Sequence, residues 1–253
     1  MKTLFVGQNS IHVESVDSTN SYASEMLRQI ELVEGSVIYS FEQLKGRGQR
    51  GNSWESEPNK NVALSMVLYP KFLLVGQQFL LTKIASLAVA DLMAELLEDS
   101  TNTRKISIKW PNDIYVNDQK IAGILIENTL KESTIQSSVV GIGINVNQLK
   151  FTTKNATSLA MIVNKEFELV KVLERLCEFF EARYLHLKSN KLGSIDDAYS
   201  ERLYKLNEWA NYLSGEVSFE GKVKGVSKTG KLQVEMRNAD EREFDLKEIS
   251  FLS

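Results

Sequence analysis

The sequence predicts an α+β fold: a larger domain on a mixed or antiparallel sheet, followed by a small all-β module. Three observations carry this reading. Strand-like runs in the first part of the chain are joined by hairpin turns as well as by helices, unlike the regular strand–helix repeat of a doubly wound parallel sheet. Helical patterning is gathered into a few long segments. From about Glu208 onward only short strand-like runs appear, punctuated by Gly215, Gly221, Gly225 and Gly230, the pattern of a small barrel.

The elements follow in order. Residues 11–16 read as a short strand. Asp17, Ser18, Thr19 and Asn20 then lead into a helix over 21–30, since such side chains accept hydrogen bonds from the free N–H groups of a helix start. Residues 36–41 and 61–69 read as strands, the second closed by Pro70. Residues 77–98 read as a long buried helix. Short strands over 106–110 and 114–116 flank Pro111, Asn112 and Asp113. Turn chemistry at Asn117, Asp118 and Gln119 returns the chain into a strand over 120–127, which predicts a hairpin. A Val- and Ile-rich strand covers 133–144. Helices are expected over 167–187 and, capped by Ser194, over 194–206. Four short strands follow, at 216–219, 222–226, 231–236 and 241–246. The change in character places a boundary between a domain of residues 1–209 and a module of 210–253. That module is small for a free-standing unit and is expected to pack on the larger one.

Composition sets bounds on function. The 253 residues are 43% hydrophobic and 25% charged, as in an ordinary globular protein. A net charge of −3 leaves no basic excess of the kind an electrostatic nucleic-acid binder carries. Cys177 is the single cysteine, so no intramolecular disulfide and no cysteine zinc cluster can form. Its amphipathic helical setting predicts a buried small hydrophobe. His12 and His186 are the only histidines, which argues against a histidine metal site or a catalytic triad. The N-terminal residues lack the apolar run of a signal peptide, and no segment approaches the roughly 18 apolar residues of a membrane span. The cytoplasm is the expected location, with no membrane partner.

Four polar clusters interrupt the apolar pattern. The most informative is Gln43–Leu44–Lys45–Gly46–Arg47–Gly48–Gln49–Arg50–Gly51–Asn52–Ser53–Trp54. Its glycines permit close backbone approach to a ligand, and its arginines offer donor forks that fit carboxylate and phosphate oxygens. The others are Ser18–Thr19–Asn20, then Lys109–Trp110–Pro111–Asn112–Asp113, and Lys120 together with Gly141–Ile142–Gly143–Ile144–Asn145–Val146–Asn147. Each alone has a plain structural explanation: a cap, a turn, a strand lysine, a surface loop. All of them fall at strand ends or loops, where ligands are usually held.

Taken together, the motifs resemble those of the biotin–protein ligases (biotin–acetyl-CoA-carboxylase ligases). The matching residues are Ser18–Thr19–Asn20, Gln43 with the Gly46–Trp54 loop, Lys109–Ile114, Lys120–Ile121–Ala122–Gly123–Ile124–Leu125–Ile126–Glu127, and Gly141–Asn145, in the family's order and spacing. The C-terminal segment, ending Glu248–Ile249–Ser250–Phe251, resembles the family's SH3-like domain. The resemblance implies a class II synthetase-like catalytic domain, shared with lipoate ligases, followed by an SH3-like β-barrel.

It also implies roles. Biotin would be held by Ser18, Thr19, Gln43, Gly46 and Gly123, with Arg47 and Lys120 beside its carboxylate and the ATP α-phosphate. Arg50, Trp54, Asn112, Ile144 and Asn145 would border the nucleotide. Lys120, Arg47 and Asp113 would be catalytic, and Asp113 would approach Mg²⁺ through water. The implied reaction forms biotinyl-5′-AMP from biotin and ATP, then transfers biotin to a lysine of a biotin carboxyl carrier protein. A lipoate–protein ligase or octanoyl transferase is the nearest alternative, and a non-catalytic biotin or adenylate sensor the other. The expected assembly is a monomer or homodimer. Some members carry arginine where this chain has Gln49, and more basic residues where it has Asn52, so a looser hold on the adenylate is expected. The ligase pattern begins within the first twenty residues, so an N-terminal DNA-binding domain, and DNA as a partner, are not expected.

Overall fold

The computed structural model describes residues 2–98 and 104–252. Seven strands form the main sheet: β1 (Ser10–His12), β2 (Val37–Ser40), β3 (Val62–Leu68), β4 (Ile106–Lys109), β5 (Asp113–Val116), β6 (Gln119–Lys131) and β7 (Thr134–Ile144). Their order across the sheet is β1-β2-β3-β7-β6-β5-β4. β1 runs parallel to β2, and every other neighbouring pair is antiparallel. The sheet is therefore mixed.

Helices cover both faces. α1 (Thr19–Gln29) packs over β2, β3 and β7, with Ala23 in a small core beside Ile38, Val67 and Val139. α2 (Phe79–Leu96) lies on the opposite face and is apolar nearly all round. Such a helix needs cover on every side. It receives it from the sheet and from α4 (Leu169–Lys188) and α5 (Leu192–Glu201). β3, buried at all seven positions, is sandwiched between the two layers. Arg183 of α4 and Arg202 after α5 both meet Asp91 of α2 at 2.7 Å, tying the helices together at their rim.

The second sheet holds β8 (Trp209–Ser214), β9 (Val217–Val226), β10 (Leu232–Met236), β11 (Glu241–Phe244) and β12 (Ser250–Phe251), in the order β11-β10-β9-β8-β12. It is joined to the preceding part of the chain: the Trp110 indole N–H donates to the Gly230 carbonyl at 2.9 Å. Gly230 has a φ of +94°, and a Cβ there would strike the Phe79 ring.

Several elements differ from their sequence expectations for identifiable reasons. The strand expected at 11–16 closes at His12; Val13 still donates to Tyr39, and Val16 forms an isolated parallel bridge to Gln43 by donating to Glu42 and accepting from Leu44. The helix expected at 194–206 spans Leu192–Glu201, and Ser194 sits inside its first turn, donating to the Lys191 carbonyl. The chain leaves that helix because residues 202–204 are captured by the free edge of β4, through Ile108 N–H to the Arg202 carbonyl and Tyr204 N–H to the Ile108 carbonyl. The runs at 216–219 and 222–226 are one strand passing through Gly221. There the missing Cβ leaves room for the Val234 side chain. β8, β12 and the short helix α3 (Leu159–Val163) are additional elements.

Candidate active site

The site is built on the middle of the main sheet. Gly123 of β6 and Gly143 of β7 face each other in register. The Trp54 indole lies across this pair: a Cβ at Gly143 would fall 2.6 Å from its Cε2, and one at Gly123 2.9 Å from its Cζ3. The two glycines thus create a flat bed for an aromatic ring. Gly141, two residues along β7, is bare for a different neighbour, since a Cβ there would collide with the Asn20 side chain.

Asn20 is 3% exposed and is fastened to the sheet. Its Oδ1 accepts from Ser65 Oγ at 2.6 Å, and its Nδ2 donates to the Leu125 carbonyl at 3.1 Å and to Glu127 Oε2 at 3.0 Å. This anchors the start of α1. Thr19 can then present its N–H and hydroxyl to Gln43 Oε1, at 3.0 and 3.3 Å, with its Oγ1 2.9 Å from Ser65 Oγ. Ser18, Thr19 and Gln43 form a neutral polar recess at one end of a cleft of about 420 Å³. Gly46 does not line the cleft. It passes between the Gln43 amide and the Trp54 carbonyl, too close to either for a side chain, and its own carbonyl accepts from the Trp54 N–H.

Charged side chains line the same cleft. Lys120 Nζ meets Asp113 Oδ1 at 2.6 Å and stands 5.5 Å from the centre of the Trp54 ring. An irregularity in the β5–β6 pairing at Ile114 and Tyr115 separates the Asp113↔Gly123 register from Tyr115↔Lys120 and lets both charged groups face the same space. Arg47 reaches over from the glycine-rich loop to Glu127, at 2.8 Å, and to Ser21 Oγ, at 3.1 Å. The loop holds its shape through Gly48 N–H to Asn52 O and a single 3-10 turn at Gln49–Gly51. The Arg50 side chain lies outside the described ones.

Lys109, at the far wall, has its ammonium among the rings of Tyr115, Phe251 and Tyr204, at 5.0, 5.1 and 5.9 Å. Burial pushes its pKa below the usual lysine value; Asp113 opposes this, and Lys120 and Lys205 add to it. Tyr115 is pushed up to about 12, by burial and by Asp113. Trp110, joined to Pro111 by a cis peptide bond, is 5% exposed and shared between core and cleft. Leu246, Ile249, Ser250 and Phe251 close this end, so the second sheet contributes directly to the cleft.

Of the residues expected at the site, Ser18, Thr19, Gln43, Arg47, Trp54, Asn112, Asp113, Lys120 and Gly123 line one cleft. Ile144 and Asn145 lie behind it. Ile144 is fully buried in the core, and Asn145 donates through Nδ2 to the Thr157 carbonyl. Asn112 likewise turns its Nδ2 to the Ile124 carbonyl. Two buried polar atoms near the bed are left without a partner, Trp54 Nε1 and Asn145 Oδ1. An aromatic ring that lines the cleft and carries an unsatisfied donor suits a flat, polar heterocycle such as a nucleobase. Mg²⁺ is less well provided for. Among the described residues no three His, Cys, Asp or Glu side chains gather to hold a metal, and Asp113 alone faces the cleft beside Lys120. Lys222 and Lys224, basic side chains of the second sheet, pair with Glu235 at 2.9 and 3.4 Å and stay outside the cleft.

Sequence reasoning assigned no role to Ser65, Glu127 or the residues at 246–251. Glu127 closes the Lys120–Glu127 motif, which was the available signal. Ser65 carries none, being one serine in a buried strand.

A neutral recess, a lysine and an arginine beyond it, and an aromatic bed together make a cleft that can bring two anions side by side. That is the class of a carboxylate-activating ligase. The profile of the Biotin/lipoate A/B protein ligase family matches residues 12–145. The chain is 30% identical over 242 residues to the Bifunctional ligase/repressor BirA of Bacillus subtilis, covering 93% of this chain and 72% of that one. It is 29% identical over 224 residues to the Biotin–[acetyl-CoA-carboxylase] ligase of Paracoccus denitrificans, covering 85% of this chain and 90% of that one. The solved structure of biotin protein ligase from Aquifex aeolicus in complex with biotin and ATP matches with a TM-score of 0.78 at 27% identity, over 97% of this chain and 99% of that one. The chain belongs to the biotin/lipoate A/B protein ligase family.

Proposed function

We propose that this chain is an ATP-dependent biotin–protein ligase, in which residues 1–209 form the catalytic domain and 210–253 a companion module. The observation that carries the reading is the convergence of a neutral recess, Arg47, Lys120 and the Trp54 bed on one cleft. The recess of Ser18, Thr19 and Gln43 matches the neutral ureido ring of biotin in donors and acceptors. Biotin lying with that ring in the recess would direct its carboxylate toward Lys120 and Arg47. ATP with its base beside Trp54 would bring its α-phosphate to the same cations.

The carboxylate oxygen then attacks the α-phosphorus. A new P–O bond forms, the bond to pyrophosphate breaks, and biotinyl-5′-AMP remains. Lys120 and Arg47 neutralise charge that the two anions bring together and that grows in the transition state. Arg47 must exchange Glu127 for the ligand to do so. Mg²⁺ bound with the nucleotide would supply further charge neutralisation, and Asp113 is the cleft carboxylate that would face it. In the second step the neutral ε-amine of a carrier lysine attacks the activated carbonyl and AMP leaves. Asp113 is placed to orient that amine or take its proton. The acceptor is a biotin carboxyl carrier protein. β5 pairs with β6 only as far as Gly123, so beyond it β6 has a strand neighbour on one side and presents an edge where an extended segment or a second copy can dock. No described helix is long and apolar enough to cross a membrane.

Biotin-dependent exchange of pyrophosphate into ATP tests this reading. Exchange that requires biotin supports it; exchange absent with biotin but present with lipoate moves the chain to the lipoate branch of the family.

A further inference from the structure

Glu55 follows Trp54 directly but does not line the cleft. Its carboxylate is engaged entirely with the turn at Thr152 and Thr153. It accepts from the Thr152 N–H at 2.9 Å and hydroxyl at 2.9 Å, and from the Thr153 N–H at 2.9 Å and hydroxyl at 2.8 Å. A carboxylate serving four donors from two consecutive residues, 97 and 98 positions away, is an uncommon investment for a loop side chain.

The segment that begins at this turn has a second attachment. The Lys120 N–H donates to the Asn155 carbonyl at 2.7 Å, and the Thr157 N–H donates to the Lys120 carbonyl at 2.9 Å, a parallel bridge centred on Ala156. The Thr157 carbonyl in turn accepts from Asn145. Residues 152–157 therefore form a strap. One end is pinned to the residue after Trp54, and the other clasps the backbone of Lys120. The two side chains it brackets, Lys120 and Trp54, are the cation and the aromatic bed of the cleft, 5.5 Å apart.

We propose that Glu55 is a positioning residue for nucleotide binding, acting through the 152–157 strap to hold Trp54 and Lys120 in mutual register. This rests on the ligase reading above. It goes beyond it by assigning the nucleotide half of the cleft a control point that touches neither substrate. Among the described residues no hydrogen bond links Ser18, Thr19 or Gln43 to the strap, and biotin meets it only through Lys120, whereas the nucleotide meets both Lys120 and Trp54, so ATP binding responds more strongly to its loss than biotin binding.

The test compares the wild type with Glu55→Ala, Glu55→Gln and the double variant Thr152→Val/Thr153→Val. Two readouts are used: biotin-dependent ATP–pyrophosphate exchange with each substrate varied, and hydrogen exchange at the Lys120 and Thr157 amides. For Glu55→Ala the KM for ATP rises about tenfold and that for biotin, which shares only Lys120 with the strap, rises several-fold less, as expected when the nucleotide side of a site loses its preorganisation. Amide exchange at Lys120 and Thr157 speeds up in parallel. Glu55→Gln, which keeps one accepting oxygen, falls in between, as does the double valine variant, which keeps the backbone donors. An unchanged ATP KM overturns the proposal, whether or not the amides exchange faster, because the strap would then be scaffolding alone. Equal rises for ATP and biotin overturn it too. A wild type without exchange activity overturns the ligase reading instead, and the amide data still report on whether Glu55 pins the strap. Should Glu55→Ala fail to fold, the glutamine and double valine variants carry the same comparison.

Discussion

Lys120 Nζ lies 2.6 Å from Asp113 Oδ1, and both side chains face the cleft from adjacent strands. The pair is about three-quarters shielded from solvent, with the side chains 27% and 24% exposed. In the proposed mechanism the carboxylate steadies Lys120 before substrates arrive and would then act on the incoming amine. Asp113→Asn keeps the shape and removes the charge. Binding of biotinyl-5′-AMP should remain measurable while transfer to the carrier lysine slows by about 10²-fold or more, in the range of a lost general base. Single-turnover transfer from preformed adenylate measures this. Transfer at wild-type speed removes Asp113 from the mechanism.

The bed beneath Trp54 depends on two absent side chains. Valine suits a central strand, so Gly143→Val should fold, but its side chain would occupy the space of the indole. ATP affinity should fall about tenfold or more, given about 1–3 kcal/mol for stacking a base on an aromatic ring. Calorimetric titration with ATP in the presence of biotin reads the loss, and circular dichroism checks that the sheet persists.

Asn20 predicts a stability effect at the edge of the site. Asn20→Ala removes the 2.6 Å acceptor of Ser65 Oγ, leaving it only Thr19, and a side-chain donor to the Leu125 carbonyl. Such losses cost about 1–3 kcal/mol. For a chain of this size a kilocalorie moves the midpoint by about 2–4 °C, so thermal unfolding should shift down by several degrees. A midpoint within one degree of wild type, to order of magnitude, would mean Asn20 is dispensable for the fold.

Cys177 is fully buried on α4, and burial pushes its thiol up to about 12; Glu174, Glu178 and Glu181 add to this, while the N-terminal amine opposes it. The fold binds the thiol proton more tightly than the unfolded chain does. Its contribution to stability is therefore complete below the usual thiol value of 9.0 and is lost as pH rises from there toward about 12. At pH near 8 a thiol alkylating reagent should leave the native protein unmodified and label it once in denaturant, as mass spectrometry would show. Rapid native labelling would contradict the burial.

Glu55 runs the other way. Partial burial works to raise its pKa, but the four donors of Thr152 and Thr153 override this and bring it from 4.5 down to about 2. The strap's contribution is thus present above 4.5 and is lost as pH falls toward about 2. Glu55→Gln should flatten this part of the acid unfolding curve. An unchanged curve would mean that the carboxylate is not engaged in solution.

Much of the site was legible because its chemistry is local in sequence. The Gly46–Trp54 loop, the Lys109–Asp113 cluster and the Lys120–Glu127 strand each put chemistry-bearing residues within a few positions of one another, so together, in order, they carry the family resemblance although each alone has a plain explanation. What was not legible depends on pairing between distant segments. Ile144 and Asn145 belong to the same glycine-rich strand end as Gly143, yet neither lines the cleft: Ile144 points to the opposite face by strand alternation, and Asn145, just past the end of β7, turns its amide to the Thr157 carbonyl. Lys120 reads as an exposed hairpin lysine until Asp113, Trp54 and the strap enclose it. The end of α5 at Glu201 follows from the capture of residues 202–204 by β4, which no helix signal records. Gly221 reads as a break between two strands because the residue that fills its gap, Val234, lies on another strand.

The central claim is that this cleft joins biotin to a lysine through an adenylate. Mass spectrometry of a biotin carrier domain tests it most directly, after incubation with this protein, ATP, Mg²⁺ and biotin, with a parallel reaction supplied with lipoate. The account predicts a mass gain of one biotinyl group on a single lysine, dependent on ATP and absent with lipoate. A gain with lipoate alone, or tight biotin binding with no modified carrier, would contradict it.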